Sequence, residues 1–237
     1  MDLWRPAAAA LAADLGRIFA HRLRSVVAYG PFLDGNSAAS LTCLALVDSL
    51  TVADLEACAR HAPHWKRRSV AIPLILPLHE FHRSLDAFPL EYGEIIRAHE
   101  LIVGADPFAQ VSVAREDLRR ACETQVKSHL VHLREGFIES GGRPQAIADL
   151  VAASAPAFAA ILRTLARLNG SESAGRADAT RAGAAAAGVP DGIVADILAL
   201  EHQTTIPTTD AARLFPDYLA AVEQLAQAID TGKTPQF

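Results

Sequence analysis

The spacing of apolar residues changes character part-way along the chain. Up to about residue 112, short β-branched or apolar runs alternate with stretches of helical period. Pro6 stands before Ala7 to Arg24, where Leu11, Leu15, Ile18 and Phe19 mark one buried stripe and predict a helix with proline in its first turn. Ser25 to Gly30 reads as a buried strand stopped by Gly30-Pro31, and Asp34 to Ser37 carries turn chemistry. Leu41 to Val47 is a second apolar strand. Thr51 followed by Asp54 resembles a capped helix start, with Val52 to Trp65 as the helix. Val70 to Leu76 is a third strand, which Pro73 confines to an edge or a bulge. A short helix over His79 to Asp86, a fourth strand over Leu90 to Ile96 and a turn at Asp106-Pro107 complete this half.

From Val113 onward the period is 3.6 and no strand candidate returns. Leu118, Cys122, Val126, Leu130, Leu133 and Phe137 line one side of a long helix ended by Gly141-Gly142. Ile147 to Leu168 continues the pattern, with Pro156 expected to kink or break it, and Asn169-Gly170 is a stop. Ser171 to Ala177 reads as a loop. Two short helices follow, then a final one through Asp230, interrupted near Pro216. Strands first and helices afterwards predict an α+β fold, in which residues 1–112 form a sheet-and-helix domain and residues 113–237 an all-α helical bundle.

Composition narrows the partners more than the fold. The chain is 51% hydrophobic and 21% charged, within the globular range. Its net charge of −5, with both signs mixed, predicts no broad nucleic-acid surface. Lys66, Arg67 and Arg68 form a local basic trio that reads as a solvated helix end. Three cysteines, Cys43, Cys58 and Cys122, form no CxxC pair and sit in apolar patterns, which argues against a disulfide framework. No signal layout and no run of about 18 apolar residues is evident, so a soluble, reducing, cytoplasmic setting is the expectation.

A strand ending in glycine, a polar loop and a second apolar strand form a common way to hold a phosphate. Several segments add to that signal: Val26-Val-Ala-Tyr-Gly30, Leu41 to Val47, Phe88-Pro-Leu-Glu91-Tyr92, and His99 to Phe108. A helix follows with Leu118-Arg119, Glu123, Lys127 and Leu133 to Phe137. Together they resemble the nucleotidyltransferase-like superfamily of DNA polymerase β type. More closely, they are similar to bacterial proteins in which a degenerate nucleotidyltransferase domain precedes a helical bundle. The resemblance spans roughly residues 20 to 170, is most specific from Phe88 to Phe108, and implies a mixed β-sheet in the N-terminal domain.

Carried across residue by residue, the resemblance implies a lost active site. The superfamily's serine after glycine falls at Pro31, beside Gly30, and proline has neither the hydroxyl nor the N–H donor. The two metal-binding carboxylates fall at Leu41 and Cys43, and the third at Glu91. Leucine cannot coordinate a metal, a thiol suits Mg²⁺ poorly, and one glutamate cannot hold two ions. These five positions read as a vestigial nucleotide-binding cleft with no catalytic residue, no metal and no cofactor. The expectation is a catalytically inactive binding or interaction module, with a nucleotide or small molecule as ligand and the bundle supporting a homodimer. The alternative is an active Mg²⁺-dependent nucleotidyltransferase using rearranged ligands such as Asp34 and Glu91.

Other signals favour structural readings. Histidines three apart occur as His61/His64, His79/His82 and His129/His132, none in an HExxH pattern, and read as structural or surface residues. Glu91 and Glu94, on the predicted strand, would face opposite sides unless Gly93 bulges. Ser37 and Ser40 lack a sequence-near His-Asp partner. Mixed charges from Glu116 to Glu135 predict a salt-bridged solvent face, with an inter-domain seam as the alternative.

Overall fold

The computed structural model describes residues 4–33, 39–171, 175–200 and 208–230, and within them the chain is mixed α+β. It divides into two compact units, Met1–Ala114 and Arg115–Phe237. The sequence period changes two residues earlier, at Val113. Val111 and Val113 pack against the first unit's core, and the first long helix starts only at Arg115.

In unit 1, a four-stranded sheet has the order β3-β2-β1-β4, with β1 at Leu23–Tyr29, β2 at Thr42–Val47, β3 at Leu74–Pro77 and β4 at His99–Gly104. β1 is antiparallel to both β2 and β4, whereas β3 runs parallel to β2. Alternation along the central strands sends one set of side chains to each face. Val26, Ala28, Cys43 and Ala45 join α1 (Arg5–Phe19) and α2 (Val52–Arg67) on one side. Val27, Leu44 and Leu46 join α3 (Leu78–Arg83) and α4 (Pro89–Arg97) on the other. A strand covered on both faces is a continuous apolar run, and β2 is buried from Cys43 to Val47.

Several elements differ from the sequence reading. The first helix stops at Phe19, where Ala20 takes a positive φ of 50°, and a short 3-10 turn leads into β1 at Leu23. The strand starts early because Leu23 already pairs with Val47. Leu90 to Ile96 is not a strand but the helix α4. Pro89 opens it at a position where proline is at home, and Pro89, Tyr92 and Ile95 are buried at helical spacing. The fourth strand is instead His99–Gly104, an edge strand whose mostly exposed residues lack a buried-strand pattern. Gly104 closes it with φ 89°; a Cβ there would lie 2.0 Å from the Arg24 carbonyl oxygen, so only glycine fits. Asp106 then caps the turn, accepting from the Phe108 N–H at 2.9 Å. β3 lies at the other edge, between Pro73 and its last residue Pro77.

α2 starts as the sequence indicates. Thr51 accepts from the Asp54 N–H, and Asp54 accepts in return from the Thr51 N–H at 3.0 Å. Arg22 grips the same carboxylate with two bonds of 2.8 Å. Arg22 first, then Thr51, hold the Asp54 carboxyl well below the usual carboxylate range. Across α1 and α2, the Trp65 indole N–H donates to Asp14 at 2.9 Å.

In unit 2, α5 (Arg115–Ser140) and α6 (Pro144–Leu168) are followed by α7 (Arg176–Ala187), α8 (Asp191–Leu200) and α9 (Thr208–Asp230). α6 is the hub and packs against the other four. It passes through Pro156 without a break, as α9 does through Pro216: packing on neighbours outweighs the lost hydrogen bond. The expected loop over Ser171 to Ala177 is shorter, because α7 begins at Arg176; residues 172–174 lie outside the described ones. By length and composition α6 could cross a membrane, although the sequence reading found no such run; Asp149 and Arg163 interrupt it. In this structure it packs against α5, α7, α8 and α9, which bury half of that span. The α5 charges pair within the helix, Lys127 to Glu123 at 2.7 Å, and onto α9, Lys127 to Asp230 and Arg134 to Glu223, each at 2.7 Å. The seam these ion pairs form therefore joins α5 to α9, inside unit 2.

Candidate functional site

The positions singled out by resemblance cluster only in part. Gly30 follows β1 with φ 91°, and a Cβ there would meet the Thr42 hydroxyl at 2.8 Å. That hydroxyl donates to the Tyr29 carbonyl and ties the end of β1 to β2. The Leu33 N–H returns to the Gly30 carbonyl at 3.1 Å, which closes a tight turn with Pro31 at its second position, where its fixed φ is favoured. Phe32 and Leu33 from the turn pack on the core beneath α1 and α2. The turn presents apolar side chains inward where a phosphate loop would present donors outward.

Leu41 and Cys43 point into that same core, each 1% exposed. Leu41 bridges to Val70, with its N–H on Ser69 at 2.8 Å and its carbonyl on Ala71 at 2.9 Å. Burial pushes the Cys43 thiol up to about 12, so it stays protonated at neutral pH. Glu91 is elsewhere. It is an exposed residue of α4, which packs on the opposite face of the sheet from Leu41 and Cys43. The structure therefore brings together Gly30, Pro31, Leu41 and Cys43, and leaves Glu91 out. Because Leu90 to Ile96 is helical, Glu91 and Glu94 share a flank with no bulge needed at Gly93. Asp34 and Ser37 lie outside the described residues, and Ser40 is exposed.

The histidines separate by environment. His61 stacks on Trp65 and lies 3.5 Å from Asp14, while His64, His79 and His82 are exposed. His132 pairs with Glu135 at the surface, 3.1 Å away. His129 is buried in unit 2, 3.0 Å from the Tyr218 hydroxyl, which also receives a bond from Ser154 at 3.1 Å. Burial, then the nearby His132, lowers the His129 pKa to about 4, which leaves it neutral. Among the described residues, no group of three or more His, Cys, Asp or Glu is placed to hold a metal ion.

Two concave features escaped sequence reasoning. One is a cavity of about 670 Å³ between α8 and α9, whose polar lining is Asp196, Arg213, Asp217 and Gln224. The other is a groove of about 390 Å³ between α2 and the β3 edge. The sequence features nearest the groove are Lys66 at the end of α2 and Pro73, which confines β3 to an edge. Neither a protein-family model nor a curated protein matches the sequence.

Proposed function

We propose that the chain is a nucleotidyltransferase-fold protein that has given up transferase chemistry and acts as a binding or interaction module. The observation that carries this reading is the burial of Leu41 and Cys43 in the closed core under α1 and α2. Two-metal phosphoryl transfer needs oxygen ligands facing a wet cleft, and these two side chains face neither water nor a ligand-sized space. The Gly30–Leu33 turn supports the same reading, because its inner side is filled by Phe32 and Leu33.

The test is incubation of the pure protein with Mg²⁺ or Mn²⁺ and labelled nucleoside triphosphates. No label passes to protein, nucleic acid or small acceptors under the proposal, and transfer to any of them overturns it. A thermal shift with one nucleotide, without transfer, would identify the ligand-sensing form of the same module.

A further inference from the structure

We infer that the groove between α2 and the free edge of β3 docks an acidic amphipathic helix of a partner protein. β3 ends the sheet, so among the described residues no strand covers its outer side. The groove is floored by Cys58, Ala62 and Trp65 of α2 and by Ile75 of β3. Its walls are left uncovered: Leu55 is 49% and Ile72 52% exposed, and Val52, one turn before Leu55 on α2, is exposed as well. Contiguous apolar exposure along a groove marks a contact surface.

The charge at one end of the groove selects the partner. Lys66 lines it, and Arg67 and Arg68 follow at the end of α2, all three exposed. No carboxylate among the described residues pairs with any of them. A helix C-terminus favours a cation in its last turn, yet Lys66 on the trough, with Arg67 and Arg68 exposed at the same helix end, leaves positive charge that a carboxylate-bearing partner would neutralise. Strand addition is disfavoured, because β3 has four residues and Pro73 and Pro77 remove amide donors from both ends of the edge. A helix brings its own satisfied backbone and needs only apolar anchors at i, i+3, i+4 and i+7 for the trough, with acidic residues beside the trio. A second copy of the same groove would set concave against concave, so a different chain fits better.

This inference gives the partner class for the interaction reading above and rests on it, while peptide binding and label transfer are read separately and can fail independently. The probe is a fluorescein-labelled synthetic helix with leucine at the anchor positions and glutamate elsewhere, measured by anisotropy on the full chain. Its control carries lysine for glutamate. The glutamate peptide should bind at least about tenfold tighter than the control at low salt, with the gap narrowing as salt rises. Leu55→Ser with Ile72→Ser, both half-exposed sites, should weaken binding by about tenfold with circular dichroism unchanged. Reversing Lys66, Arg67 and Arg68 to glutamate should abolish the preference for the acidic peptide. Equal affinity for both peptides, no binding of either, or indifference to the Leu55/Ile72 change would overturn the proposal. So would a dimer in sedimentation that the Leu55/Ile72 variant loses, which would assign the groove to a second copy.

Discussion

The cores of the two units follow different rules. In unit 1 the central strands are covered on both faces, and Val26 to Ala28 and Cys43 to Val47 are consecutive, buried and apolar. Unit 2 keeps polar groups at its centre: His129 with Tyr218 and Ser154, and Arg163 beside the Thr180 hydroxyl at 3.4 Å. In the sheet the ladder satisfies the backbone. The paired buried carboxylates of unit 1, Asp14 with Trp65 and Asp54 with Arg22, sit on helices, while the buried Ser25 hydroxyl of β1 has no hydrogen-bond partner among the described residues. Between packed helices, side chains from different helices converge, so a buried polar group can find a hydrogen bond. A carboxylate on the covered sheet faces would therefore be buried without a partner, whereas the bundle pairs His129 and Arg163 with hydroxyl groups.

The sharpest way to break this comparison is to return a carboxylate to the sheet. Cys43→Asp should cost about 3–5 kcal/mol, the penalty for an uncompensated buried charge, as measured by urea denaturation. A variant as stable as the parent that binds Mn²⁺ would mean the α1/α2 face is open after all.

A smaller effect comes from the bundle. The His129 pKa is lowered by burial, so the unfolded chain takes up a proton that the folded chain resists. Stability is then fully present above the unfolded value near 6.5 and is lost as pH falls toward about 4, by up to about 3 kcal/mol. The check is the stability difference between parent and His129→Gln at pH 7 and at pH 4. The parent's lead should shrink on acidification, and a constant lead would show that His129 titrates freely in the fold.

The smallest effect tests the frame around the sheet. Thr51→Ala removes the acceptor for the Asp54 N–H at the start of α2 and should cost about 1 kcal/mol in thermal or urea unfolding. Arg22 still holds the Asp54 carboxylate in that variant, so a much larger loss would mean that the cap also orders the Arg22 contact.

Much of this architecture was legible in the residues. The capping pair Thr51/Asp54, the two buried strands and the stop at Gly141-Gly142 are local signals, and local hydrogen bonding produces them. The swap of helix and strand between Leu90 and Gly104 was not legible from the apolar pattern. Leu90 to Ile96 is short and apolar enough for either state, and His99–Gly104 becomes a strand by pairing with β1, not by its own periodicity. Continuity through Pro156 and Pro216 was also hidden, because packing from neighbouring helices outweighs a local penalty.

The sequence by itself determined the change of period near Val113 and the absence of carboxylates at Leu41 and Cys43, since both depend only on residue identity. Tertiary structure decided the rest of the site. It turned Leu41 and Cys43 into a closed core and placed Glu91 across the sheet. It also left an apolar trough between α2 and β3 with Lys66 on its lining. Which side chains share a space depends on strand order and on which face each helix covers, and those are set by contacts between residues far apart in the chain.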